Sequence, residues 1–144
     1  METVEIEFTA LPTHVRTARL VASAVARQCG VDEAVLDEVR LAVGEACSRA
    51  VELHALSAPG VPVSVVFADA PGRFTVTVKD RLPAPPVQEP GETEIRLAVL
   101  TGLVDDLEIE SLGTGTEIRM SWPATKRLRT GMRPLVPKST PATT

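Results

Sequence analysis

The chain has few cysteine and histidine residues, and it has no long hydrophobic run. Its 144 residues include two cysteines and two histidines, and these do not cluster with the spacing of a zinc site. Arg, Glu and Asp interrupt the apolar stretches, so none reaches the roughly 18 residues that a membrane span needs. The first five residues show neither the basic nor the apolar segment of a secretion signal. We therefore expect a cytoplasmic protein with no metal site and no membrane contact.

The few cysteines and histidines are assigned ordinary structural roles. Cys29 and Cys47 both fall in helix-like patterns, where two small buried thiols in a reducing compartment are favoured over a disulfide. His14 and His54 lie near helix ends, far apart in the sequence, without a third ligand beside them. We therefore expect both histidines to be surface or capping residues.

Charge is unevenly distributed along the chain. The net charge is −4, but residues 123–144 hold five basic residues and no acidic ones. Residues 1–122 therefore carry 10 basic and 19 acidic residues, a net charge of −9. An acidic body disfavours direct contact with nucleic acid, and the basic tail lacks aromatic residues on which bases could stack. Because the tail is also rich in Pro and Thr, we predict a folded domain over 1–122 and a disordered tail over 123–144.

Hydrophobic periodicity predicts the fold of the body. Helical patterns cover about 12–29, 32–53 and 94–104, and strand patterns cover 4–8, 61–67, 74–79, 107–110 and 116–122. The order β-α-α-β-β-α-β-β leaves long apolar helix stripes that need a sheet to cover. It predicts an α/β (more narrowly α+β) two-layer sandwich, in which helices cover one face of a mixed or antiparallel sheet.

Five segments in this order resemble the anti-sigma factor branch of the histidine-kinase-like ATPase superfamily, a group of small serine-protein kinases. They are IEFTA at 6–10, LAVGEACSRAV at 41–51, VTVKD at 76–80, GLVDD at 102–106 and GTEIR at 115–119. Each segment alone is weak, but together they span about residues 4–122 with the expected order and spacing. The resemblance implies the histidine-kinase-like ATPase fold, with ATP held between the long helix and the sheet.

The resemblance also assigns roles to individual positions. It places Glu45 as the general base, Asp80 on the adenine amino group and Thr116 against the base. It implies a homodimer that binds a sigma factor, a STAS-domain anti-anti-sigma protein, or each in turn. Arg19, in the Ala18–Arg19 step of the first helix, occupies the position that contacts these partners, although an arginine on an amphipathic helix is usually only solvated.

Several positions depart from the family pattern. Arg49 stands where the family has the Asn that ligates Mg²⁺, and an arginine offers only donors and a positive charge. Leu82 and Ala84 replace the glycines after Asp80, and Glu94 and Arg96 replace those that open the third helix. Phosphate loops need positive φ and close backbone approach, which glycine alone provides without strain. The departures predict a degenerate ATP site, in which ATP remains an open alternative and Mg²⁺ is disfavoured.

The residues of this predicted site can also be explained by local structural roles. Glu45 and Arg49 are four residues apart on one helix, so an ion pair between them is the favoured interpretation. Direct binding of phosphate by Arg49, or a working general base at Glu45, are the alternatives. For Asp80 two interpretations are equally supported: a turn residue, and a retained contact with adenine.

Two functions follow from the sequence. The leading hypothesis is an anti-sigma factor-like regulator of transcription that works by partner switching, with nucleotide binding weak or lost. The alternative is an active ATP-dependent serine/threonine-protein kinase that phosphorylates its STAS-domain antagonist. The regulator hypothesis is favoured because the family's Mg²⁺-binding Asn and its phosphate-loop glycines are replaced. The kinase hypothesis is supported by the presence of Glu45, Asp80 and Thr116.

Overall fold

The structure is a computed structural model, and it describes residues 2–83 and 91–128, without the side chain of Thr93. A short 3₁₀ helix, Glu33–Val35, precedes the second α-helix. The other elements follow in the order β1 (Thr3–Phe8), α1 (Pro12–Gln28), α2 (Leu36–Ser57), β2 (Val63–Ala70), β3 (Arg73–Lys79), α3 (Glu92–Leu103), β4 (Asp106–Leu112) and β5 (Gly115–Pro123).

The five strands form one sheet in the order β1-β2-β3-β5-β4, and every neighbouring pair is antiparallel. In the centre of the sheet Val65 lies opposite Val78, which lies opposite Ile118. Strands β1 and β4 are the two edges. The predicted two-layer α+β sandwich is confirmed, with an antiparallel sheet.

The core lies between the helices and one face of the sheet. Strand side chains that face the helices are apolar and fully buried, among them Phe67, Phe74, Val76 and Met120, while their sequence neighbours point to the opposite face. Phe74 stacks on Trp122 with ring centroids 6.1 Å apart, and the Trp122 indole N–H donates to the Leu103 carbonyl at 3.1 Å. This bond fixes the end of α3 to the last strand.

The first long helix begins at the predicted residue, whereas the second begins at Leu36, after a 3₁₀ turn that follows the predicted start at 32. Pro12 opens α1 in the first turn, where its missing amide hydrogen costs nothing. Asp32 accepts a hydrogen bond from the Ala34 backbone N–H at 2.9 Å and caps the segment that leads into α2. α1 and α2 then pack against each other as an antiparallel hairpin, and α2 lies on β2 and β3.

Both cysteines are free and buried, as predicted. Burial raises the pKa of Cys29 to about 11, with a smaller contribution from the Asp69 charge. Burial alone raises the pKa of Cys47 to about 12. Both thiols are therefore protonated at neutral pH and unreactive.

The ordered chain continues past the predicted boundary at residue 122. Ala124 and Leu128 are buried, and the backbone N–H groups of Thr125 and Lys126 donate to the Cys29 carbonyl. We call residues 124–128 the C-terminal strap. The prediction of a disordered tail from 123 is thus wrong for these residues, and the remainder of that tail lies outside the described residues.

Asp69 of β2 anchors the strap. Its carboxylate is fully buried and accepts hydrogen bonds from the backbone N–H of Glu2 (2.9 Å), the backbone N–H of Leu128 (2.6 Å) and Arg127 Nε (3.0 Å). Burial acts to raise the pKa of Asp69, but these hydrogen bonds together with the charge of Arg127 lower it below its usual value. One carboxylate therefore joins both ends of the folded domain.

No helix among residues 2–83 and 91–128 is long and apolar enough to cross a membrane.

Candidate functional site

The sequence-predicted site residues meet where α2 crosses the ends of two central strands. Glu45 and Arg49 lie one turn apart on α2, Asp80 follows β3, and Thr116 lies near the start of β5. Antiparallel pairing of β3 with β5 brings the last two together, because the Asp80 backbone N–H donates to the Thr116 carbonyl at 3.0 Å. The fold thus places residues from three distant segments in one cluster.

Asp80 is the centre of this cluster, and its carboxylate is occupied by groups of the protein itself. Oδ2 accepts from Arg49 Nη1 at 3.0 Å. Oδ1 accepts from the backbone N–H groups of Leu82 (3.2 Å) and Thr116 (3.1 Å). With only 2% of its side chain exposed, Asp80 acts as a turn residue and as the partner of the partly buried Arg49.

Gly115 allows the close approach on which this arrangement depends. Its φ is +155°, and a Cβ at this position would lie 2.0 Å from the Asp80 carbonyl oxygen. Backbone cannot move out of the way as a flexible side chain can, so only glycine fits. The start of β5 can therefore lie directly against the residue that ends β3.

Glu45 has a different partner, Arg96 of α3. Arg96 Nε lies 3.5 Å from Glu45 Oε2, and Arg96 Nη2 donates to Glu52 Oε1 at 2.6 Å. Glu45 and Glu52 are two turns apart on the same side of α2, so a single guanidinium bridges them. Arg96 Nη1 is also buried and has no hydrogen-bond partner within residues 2–83 and 91–128. This bridge fastens α3 to α2.

The predicted ion pair between Glu45 and Arg49 is therefore wrong. Each residue pairs with a side chain from another segment: Glu45 with Arg96, and Arg49 with Asp80. A surface pair one turn apart on a helix contributes only about 0.3–0.5 kcal/mol. A carboxylate as buried as that of Asp80 requires a cation, because an uncompensated buried charge costs several kcal/mol. Arg49 therefore pairs with Asp80, whose buried charge costs more to leave without a partner.

His54 was expected to be a surface or capping residue and is instead completely buried. Its Nδ1 lies 2.8 Å from the Val61 carbonyl oxygen, and its Nε2 accepts from the Arg81 backbone N–H at 3.1 Å. The two bonds require the neutral tautomer with hydrogen on Nδ1. His54 thus connects the end of α2 with the residue directly after Asp80.

Arg19 lies apart from this cluster, on the seam between α1 and α2. It is exposed, and its stem covers Gly44, where a Cβ would come within 2.9 Å of Arg19 Cδ. Close by on the same seam, Arg40 Nη1 donates to Ser23 Oγ at 3.1 Å. Arg19 therefore lies on the flank of α1 that meets α2, with its side chain exposed.

A cavity of about 540 Å³ opens on the other face of the sheet and adjoins the cluster, because Asp80 and Gly115 belong to its lining. Ser64, Lys79 and Glu117 line it, and they alternate along their strands with the apolar residues that face the helices. It is therefore not the space between helix and sheet in which the resemblance places ATP.

Sequence reasoning missed the part that Arg96, Glu52 and His54 play in this site. Arg96 was noticed only as a replaced glycine. The available signal was the spacing of Glu45 and Glu52, which puts two carboxylates on one side of α2 with a single cation, Arg49, between them. For His54 no sequence signal was present, because its partners are backbone groups.

The sheet, the helical layer and the polar cluster at the strand ends define an α+β sandwich of the histidine-kinase-like ATPase type. The family profile described as histidine kinase-like ATPase domain matches residues 8–122, and the chain belongs to this family. A comparison with curated protein sequences finds no match.

Among solved structures, the RsbU and RsbW domains of Rv1364c from Mycobacterium tuberculosis resemble the chain with a TM-score of 0.67 and 21% sequence identity. The alignment covers 90% of this chain and 35% of that one, so this chain spans about a third of the length of the protein it matches. At this identity the likeness concerns the fold.

Proposed function

We propose that the protein is a cytoplasmic partner-switching regulator of the anti-sigma factor type, which binds a sigma factor or a STAS-domain anti-anti-sigma protein without using nucleotide. The observation that carries the proposal is that both acidic residues of the candidate nucleotide site are bonded to arginines of the chain itself. Membership of the histidine kinase-like ATPase family and a fold similar to that of the RsbW-containing structure support it.

The side chains of the candidate site do not fit Mg²⁺-ATP. Mg²⁺ prefers oxygen ligands, and the position of its Asn ligand is held by the cationic Arg49. Both oxygens of Asp80 already accept hydrogen bonds, so an adenine amino group would have to displace Arg49 or a backbone N–H. Arg96 Nε lies 3.5 Å from Glu45 Oε2, so a substrate hydroxyl would have to compete with Arg96 for this carboxylate. We therefore derive no phosphoryl transfer at this site.

The proposed partner-binding region is the outer surface of the α1–α2 hairpin. The Arg19–Gly44 and Ser23–Arg40 contacts bring one turn of α1 beside one turn of α2. Leu20 and Leu41 belong to these two turns and are 62% and 53% exposed. We call Arg16, Arg19, Leu20 and Leu41 the hairpin surface.

The hairpin surface combines apolar area with unpaired positive charge. Arg16 and Arg19 form no ion pair with any residue in the described part of the chain, whereas Arg27 and Arg40 pair with Glu33 and Asp37. An arginine beside an exposed aliphatic side chain is a favourable composition for an interface anchor. An acidic partner surface with apolar residues would complement it.

Nucleotide binding is the first test. We expect calorimetry to detect no Mg²⁺-ATP binding tighter than millimolar, and no label transfer from ATP to a STAS-domain partner. The variant Arg49→Asn, Arg96→Gly removes both arginines and should bind ATP at least tenfold more tightly than the parent chain. Micromolar, Mg²⁺-dependent binding by the parent would instead support the kinase hypothesis.

Partner binding is the second test. We expect Arg19→Ala to weaken binding to a sigma factor or STAS-domain partner about thirtyfold, or about 2 kcal/mol, as truncation of an interface anchor does. Calorimetry measures the affinity, and circular dichroism should show an unchanged fold, because an exposed arginine contributes little to stability.

Arg27→Ala is the matched control, since Arg27 is also an exposed arginine of α1 but lies at the other end of the helix and pairs with Glu33. It should leave the affinity unchanged. Equal losses in both variants, or none in Arg19→Ala, would show that the hairpin surface is not the partner site.

A further inference from the structure

Strand β4 is a free edge of the sheet. It pairs with β5 on one side only, and no other strand of residues 2–83 and 91–128 lies against it. Six of its seven residues are exposed, including the apolar Ile109 (43%) and Leu112 (39%). Backbone N–H and C=O groups along such an edge can accept another strand.

The side chains of β4 alternate in character. Asp106, Glu108 and Glu110 point to the face away from the helices, and Leu107 and Ile109 point to the helical face. A cavity of about 310 Å³ lies along this edge, lined by Glu108, Ile109, Glu110, Glu117 and Arg119. An added strand would therefore find acidic groups on one face and apolar groups on the other.

The acidic side of this edge is incompletely neutralised. Glu110 lies directly opposite Glu117 in the register, and like charges in that position repel. Among the described residues, the cations nearest to the Glu117 carboxylate are Arg119 at 3.8 Å and Lys79 at 3.9 Å. Glu110 forms no ion pair with any described residue, while Arg119 Nη1 is engaged with Glu108 at 3.0 Å. A further cation would relieve the repulsion.

On the other edge of the sheet, each acidic side chain of the strand has a bonded partner within the chain. On β1, Glu7 pairs with Arg81 and Glu5 accepts from Ser64 Oγ at 2.6 Å. A second copy of the chain is also a poor occupant of β4, because pairing β4 with β4, or with β1, would bring acidic side chains of the two copies together. Charge complementarity therefore selects β4 and a basic partner.

We propose that the β4 edge binds an extended protein segment in which Lys or Arg alternates with apolar residues. The segment adds as a sixth strand, with backbone hydrogen bonds to β4. Its basic side chains lie beside Glu110 and Glu117, and its apolar side chains beside Ile109. This site is separate from the hairpin surface and would let the protein hold a second partner.

The experiment uses two blocked six-residue peptides, one alternating Lys with Val and one alternating Glu with Val, titrated into the full chain. Amide chemical shifts in NMR report the site, and their dependence on concentration gives the affinity. We expect the Lys-Val peptide to shift the amides of residues 106–112 and the Glu-Val peptide to shift none of them.

Glu110→Lys should weaken binding of the Lys-Val peptide at least tenfold, because the new ammonium group neutralises Glu117 and repels the lysines of the peptide. The fold should be unchanged. Glu38→Lys, on an exposed turn of α2, makes the same change in net charge and should have no effect. Three results would overturn the proposal. They are equal weakening by Glu38→Lys, peptide-induced shifts centred on β1 or the helices, and self-association of the free chain that Glu110→Lys abolishes.

Discussion

Replacing Arg49 with Ala is expected to lower the free energy of unfolding by about 3 kcal/mol, because it leaves the buried Asp80 carboxylate without its cation. For a chain of this size the loss corresponds to a fall in Tm of roughly 10 °C. Urea unfolding followed by circular dichroism measures it. The value lies at the lower end for buried pairs, because 18% of the Arg49 side chain is exposed.

A double substitution separates the ion pair from the packing of the arginine stem. Arg49→Met keeps the stem, and combining it with Asp80→Asn removes both charges. The combined variant should be more stable than Arg49→Met alone, since replacing both members of a buried pair is often nearly neutral. A loss below 1 kcal/mol in Arg49→Ala would mean that water compensates Asp80 and that Arg49 is free to act elsewhere.

Asp69→Asn is expected to cost about 3 kcal/mol, because an amide in place of the carboxylate loses charge-assisted bonds and turns an NH₂ group toward donors. Thermal unfolding at neutral pH measures the loss. Asp37→Asn is the control: its carboxylate is 80% exposed and pairs with Arg40, so the change should be within 1 kcal/mol.

The stabilisation from Asp69 should also depend on pH. Its pKa is lower in the folded protein than the usual value of about 3.9, so its contribution is complete above that value and is lost as the pH falls through the folded pKa. The difference in stability between the parent and Asp69→Asn should therefore be constant from pH 7 to about pH 5 and shrink in stronger acid. A difference that grows on acidification would contradict the assignment.

Much of the fold could be predicted from the sequence because its signals are local. Alternation along 74–79 and the helical spacing of Val39, Val43 and Cys47 each follow from which side of an element meets the core. The hairpin turn before Arg73 and the cap at Asp32 depend on neighbouring residues alone. The predicted ends of the helices and strands differ from those in the structure by only a few residues.

The candidate site was harder to predict because its contacts join distant segments. Arg49 and Asp80 are 31 positions apart, and Arg96 and Glu52 are 44 apart. Helical spacing predicted Glu45 as the partner of Arg49, and no local pattern indicated that Asp80 would bind it instead. The strap was missed for a related reason: Leu128 is the one large apolar residue between Trp122 and Met132, and its backbone N–H binds Asp69 far away in the sequence.

The position of Asp69 between both ends of the domain also sets the order in which the chain can fold during synthesis. Asp69 binds Glu2, 67 positions earlier, and Leu128, 59 positions later. The α1–α2 hairpin depends on near neighbours and can form as soon as it leaves the ribosome, since local contacts form fastest. β1 must wait for β2, and the last bond to Asp69 waits for Leu128. A nascent chain can therefore form its α1–α2 hairpin before its sheet is complete.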